Sequence, residues 1–424
     1  MKHSIKFGLM GGMILFCLSM SLTSCEDILG EWSRPTPNPV TPGGGGSSTI
    51  NATAITLGQT LKVFKSGDAA LTITVTATPS DATFTWESSD ANVATVENGV
   101  VTPVGAGIAT ITAKSGDVTA TCEVFVGNEV DLATKTANYT VQNYDILKGT
   151  LDPSYAISIP NDSKVTFNGM KTTQQITCSG DATIILADGS TNTVDASGIN
   201  NQAAIPIGGT GKTLTIDAET EGTGTLTAKG GSDAAGIGTS KDETGGNIVI
   251  EGGVIEATGG DHAAGIGTGN AESNNNECGS ITINGGTVTA KGVNGGAGIG
   301  TGVANYGTNT CGAITINGGT VTATGGGDAA GIGTGYSFNA KNECGAITID
   351  TGVTKVTATK GAGSPNSIGT GTNGVTQKCG DIYFDIKVAT AGAYTITTTD
   401  GTYTHGGLNL VISGNDWKLT PVAP

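Results

Sequence analysis

The chain has 424 residues and is poor in charge, with charged residues at 13% and a net charge of −16. Glycine supplies 70 residues, more than twice its usual share of about 7%, but no sustained Gly-X-Y period accompanies it, so collagen is excluded. An interior glycine costs a helix about 1 kcal/mol against alanine, which excludes a helical protein and puts the glycines in turns of a β-rich repeat. The acidic balance leaves no basic surface to neutralise phosphates and excludes nucleic acid as a partner.

In chain order, residues 1–24 hold a short basic start (Lys2, His3, Lys6) and an apolar run from Phe7 to Leu22. That run is too short and too rich in Gly and Ser for a comfortable membrane span and reads as a secretory signal. It ends in Leu22-Thr23-Ser24-Cys25, which resembles the bacterial lipobox. The resemblance implies cleavage before Cys25, lipidation of that cysteine, and attachment of the protein to a membrane through its acyl chains. Glu26-Asp27 resembles the surface-export signal of Bacteroidetes lipoproteins, which implies an exported, outer-membrane, surface-exposed protein. Residues 25–50 contain SRPTPNPVTPGGGGSS, a Pro-rich then Gly-rich tether.

Residues 51–127 are poor in glycine and alternate with period two, as in Leu71, Ile73, Val75 and Ala77, or Ala109, Ile111 and Ala113. Short strands between turn signals predict a β-sandwich with Trp86 in its core. The segments Thr85 to Asp90, Val93 to Val96 and Gly107 to Ala113 resemble the group 2 bacterial immunoglobulin-like domain. That resemblance implies a spacer, stalk or modest adhesion module.

Residues 128–384 repeat. Ala235-Gly236-Ile237-Gly238-Thr239 recurs at Ala264, Ala297 and Ala330, with a degraded copy at Asn366. Ile-Thr-Ile and Thr-Val-Thr-Ala blocks fall between the copies. Three short strands per roughly 30 residues predict a parallel β-helix; a propeller blade needs four strands in about 40 to 45 residues. Weaker copies upstream set the start near residue 140 and the count at eight or nine coils. The stretch from Leu186 to Gly238 resembles a family of secreted, carbohydrate-binding right-handed β-helices, some calcium-dependent, which implies the handedness and a carbohydrate ligand. Residues 385–424 lose the period and regain Tyr394, Tyr403 and Trp417, as expected of a terminal cap. The whole reads as all-β: an immunoglobulin-like sandwich, then a right-handed parallel β-helix.

Cys278, Cys311, Cys344 and Cys379 share one column, each followed by glycine. A ladder of buried thiols is expected there, with disulfides open as the alternative in an exported protein. Four ligands in a line about 14 Å long cannot surround one zinc ion.

Catalysis is not expected. The only arginine, Arg34, sits in the tether, and the histidines are His3, His262 and His405. The regular strands show Thr and Gly outward. Glu277 and Glu343 lie about 10 Å apart, too far to share one calcium ion. No cofactor is required, although Asp242 and Glu243 could each hold calcium with carbonyls.

Binding is expected on the loops Thr268 to Gly279, Thr301 to Gly312 and Thr334 to Gly345. The candidate ligand contacts are Asn275, Tyr306, Asn309, Tyr336, Phe338 and Asn342. Aromatic faces and amides suit sugar rings, so the expected partner is a polysaccharide or a glycan of a host or neighbouring cell. A β-helical polysaccharide lyase or hydrolase and a purely structural surface component are the rival readings. Glycine pairs such as Gly298 and Gly300 leave one strand face bare, where another backbone or a flat ligand could approach.

Overall fold

The computed structural model describes residues 50–219, 223–350, 352–372 and 376–384, and beyond them the strands Thr395–Thr397, Tyr403–His405, Leu408–Ser413 and Asp416–Pro421. Apart from one short 3-10 turn at Leu132–Thr134, the regular elements of the described chain are all strands, joined by tight turns. Cys25, the signal and the tether lie outside these residues, as does Tyr394.

The sandwich arises from its alternation. Gly107–Ser115 pairs antiparallel with Thr85–Ser88 on one side and with Val118–Asp131 on the other. Ala109, Ile111, Ala113 and Val124 point inward and are fully buried. Facing them are Ala94 and Val101 from the short strands of a second sheet, and Ile73 just after the strand Leu71–Thr72 of the same sheet. Trp86 packs half-buried against this core, as its place in the sequence suggests.

No linker separates the sandwich from the next domain. Val118–Asp131 is one 14-residue strand. Its first part belongs to the sandwich, while Asn128 to Asp131 pairs in parallel with Asp145 to Lys148 and begins the second domain. The boundary expected at 127/128 therefore falls inside a strand.

From residue 182 on, the chain forms a parallel β-solenoid of about six turns. This corrects the expected eight or nine coils. Upstream strands stack in the same parallel manner, but without three strands per turn. Ser163–Thr172 runs on as one strand, pairing first with Ala182–Leu186 and then with Thr191–Asp195. It swerves at Gly169 (φ +81°), where the turns above it make a corner.

Within the regular turns, identical residues stack on one another: Ile281 on Ile314 on Ile347, Val288 on Val321, Ile299 on Ile332. All are fully buried. Each such side chain contributes about 1.5–3 kcal/mol relative to exposure, so the column is the main source of stability. The later turns add a fourth short strand not expected from the sequence: Asn276–Cys278, Asn309–Cys311, Lys341–Cys344 and Thr376–Cys379.

The glycine strip is not open to a ligand, which corrects that expectation. Gly300 has φ +130°, and a Cβ there would lie 1.9 Å from the carbonyl oxygen of Gly333 in the next turn. The backbone that approaches is the protein's own. Beyond the solenoid, Tyr403–His405, Leu408–Ser413 and Asp416–Pro421 form an antiparallel sheet.

Candidate functional site

The long loops do stack along one edge, but they are folded rather than loose. Ala271 bridges Ala304, and Ala304 bridges Ser337. The fourth strand then gives the edge a buried inner face.

That inner face takes two of the expected contacts out of play. Asn309 and Asn342 are fully buried. Asn309 accepts a hydrogen bond from Thr268 Oγ1 (2.5 Å), and its amide donates to the carbonyls of Gly269 (2.9 Å) and Val303 (3.0 Å). Asn342 repeats this one turn on with Thr301, Gly302 and Tyr336. Asn276 with Thr239, and Gln377 with Thr334, complete a ladder of four rungs. Each threonine also accepts from a glycine N–H, as Thr268 does from Gly302 (2.8 Å). Side chains so fully engaged hold the turns together and have nothing to offer a ligand. The signal was present: each lies two residues before a column cysteine, hence on the same inward face.

The other four candidates remain at or near the surface. Tyr306 is 66% exposed and Phe338 50%. Their rings meet edge to face on successive turns, with centroids 6.3 Å apart. Tyr336 is half-buried against Gly295. Asn275 is exposed, and its Oδ1 accepts from the Thr308 N–H at 3.0 Å. Two exposed rings one turn apart form an apolar step in a polar edge, a shape suited to the flat face of a sugar ring.

Next to this step runs a polar network that sequence reasoning did not assemble. Asp233 accepts from Asn270 Nδ2 (3.0 Å), lies 3.0 Å from His262 Nδ1, and pairs with Lys241 at 3.5 Å. Asn270 and Asn305 both donate to Glu272. Asp242 Oδ1 accepts three successive N–H groups, those of Glu272, Ser273 and Asn274. Glu277, Thr310 and Glu343 are in register, so the two glutamates are two strand spacings apart, about 10 Å. Among the described residues, no three His, Cys, Asp or Glu side chains are grouped to hold a metal ion.

A second concavity, also missed, lies where the sandwich meets the solenoid. A cleft of about 290 Å³ is lined by Leu57 to Thr60 on one side and by Asp217, Glu219, Glu251 and Asn284 on the other. Burial, and then the charges of Glu251 and Glu123, raise the Asp217 carboxyl above its ordinary value. Glu219 is the keystone of this joint. One oxygen receives Lys62 Nζ (2.6 Å) and the Val63 N–H (2.7 Å), the other the Asp188 N–H (2.8 Å). Behind it, Leu61, Phe125, Ile146 and Ile185 pack as one cluster. Ile185 points outward from the solenoid and is buried only because the sandwich covers it.

Residues 51–126 match the bacterial Ig-like domain (group 2). Residues 221–241, 248–270, 281–303 and 314–336 match the beta helix repeat. A search of the curated proteins returned no match to the chain. An Ig-like domain joined to beta helix repeats fits a surface or carbohydrate-interacting protein. Tyr306 falls in the gap between the third and fourth repeat matches, and the fourth ends at Tyr336, just short of Phe338.

Proposed function

We propose that the chain is a non-catalytic, lipid-anchored cell-surface protein that binds carbohydrate or acts as an adhesin, presenting its solenoid on the Ig-like domain. The observation that carries this reading is the exposed ring pair of Tyr306 and Phe338 on the loop edge. Stacking of a sugar ring on such a step uses the same apolar face that water solvates poorly. The neighbouring amides and carboxylates supply orientation. The partner is a polysaccharide or a cell-surface glycan, held without metal or cofactor. Lipidation at Cys25 and export to the outer membrane are proposed from the sequence motif alone.

A glycan array probed with residues 51–424, with and without added calcium, tests this. Binding that is lost on Tyr306→Ala and Phe338→Ala, with unchanged melting temperature, supports the reading. Absence of binding to any glycan sinks it. Release of product from a polysaccharide would replace it with an enzyme.

A further inference from the structure

One disulfide closes only half of the column of cysteines. Cys278, Cys311, Cys344 and Cys379 are in register on four successive parallel strands. Cys344 and Cys379 are joined by a disulfide, with Cα atoms 4.6 Å apart. Cys278 and Cys311 are thiols. Their environment matches that of the bonded pair: exposures are 5% and 4%, against 6% for Cys344. Adjacent parallel strands lie about 4.8 Å apart, inside the Cα range of about 4.4–6.8 Å that a disulfide requires. The two thiols share a hydrogen bond, which together with burial raises the Cys311 thiol well above its ordinary value.

The column starts at Cys278. In the turn before, Thr244 bridges Glu277, which places Gly245 opposite Cys278. Four sulfurs in a row allow three neighbouring pairs, and only one arrangement bonds all four. Half of that arrangement is already closed. We propose that Cys278 and Cys311 form a second disulfide, made by exchange with a disulfide-bearing oxidant. The Cys311 thiolate, its proton lost to water, attacks one sulfur of the oxidant and expels the other as a thiolate. Cys278, deprotonated in turn, attacks Cys311 Sγ and expels the remaining sulfur of the oxidant. Two electrons and two protons thus pass to the oxidant, which leaves as two thiols. Because burial disfavours the thiolate, exchange is faster while the column is still open during folding.

Lysine-specific cleavage separates the four cysteines, since Lys241, Lys291, Lys341, Lys355, Lys378 and Lys387 put each on its own peptide. The full chain, collected from an oxidising compartment and alkylated before digestion without reductant, is mapped by mass spectrometry. The expected result is a link between peptides 242–291 and 292–341, with loss of both alkylated thiols and with 342–355 linked to 379–387. Alkylation of Cys278 and Cys311 in such protein overturns the proposal. So does a link between 292–341 and 342–355. In Cys311→Ser, Cys278 is expected to become fully alkylated while the Cys344–Cys379 link persists. A rearranged link from Cys278 to Cys344 would contradict the fixed pairing.

Discussion

The sandwich and the solenoid are both all-β, yet they are specified differently. In the sandwich, dissimilar side chains such as Phe64, Ile73, Trp86 and Ile111 fill one irregular space. In the regular turns of the solenoid, inward residues such as Ile299 meet a copy of themselves one turn away, and at Gly300 the meeting is backbone on backbone. A sandwich core absorbs a change of shape by repacking. A column of glycines has no side chain to move, so its tolerance is lower where its chemistry is simplest.

The sharpest way to break this comparison is Gly300→Ala. A Cβ 1.9 Å from a carbonyl oxygen, on a residue at positive φ, forces turns apart and is expected to cost roughly 3–5 kcal/mol. Chemical denaturation should show it, and Gly67→Ala, at positive φ but with nothing near its Cβ, should cost only about 1 kcal/mol. Next comes the joint. Glu219→Ala removes the partner of Lys62 and two N–H groups and should cost about 3 kcal/mol. If the two domains were independent, its calorimetric trace would not change; the continuous strand predicts a lower midpoint for both.

Asn309→Ala tests the buried polar ladder. It strands the Thr268 hydroxyl and two carbonyls and should cost about 2 kcal/mol, while leaving any glycan binding intact once the protein is folded. The smallest effect is expected for Asp217→Asn. With its folded value raised, the stability tied to neutral Asp217 is present at acid pH and lost as pH rises through that value. The variant should therefore melt slightly higher at pH 7, by under about 1 kcal/mol, and equally with the parent at pH 3.

Much of this was legible in the sequence. The sandwich, the three-strand repeat, the inward isoleucines and the cysteine column are all given by spacing. Spacing stops informing where one strand does two jobs. Ser163–Thr172 contains no corner signal except Gly169, and counting its turn as regular overstated the coil number. Asn309 and Asn342 were misplaced because asparagine between glycine-rich loops suggests solvent, whereas parity with the adjacent cysteines puts them inside. The joint at Glu219 and Ile185 was invisible for another reason. It arises from docking of Leu61 to Val63 onto Ile185 and Glu219, more than 120 residues further along the chain, and no local pattern encodes it.

The strand Val118–Asp131 also has a mechanical consequence. A pull on the chain ahead of the sandwich, resisted by something gripping the solenoid, must pass through it. Force directed along this strand loads its parallel rungs to Asp145–Lys148 in shear, so that they share it. A hairpin pulled at its open end would unzip one rung at a time. Here Glu219 braces the same junction from the side, so the continuous strand and this ion pair bear tension together.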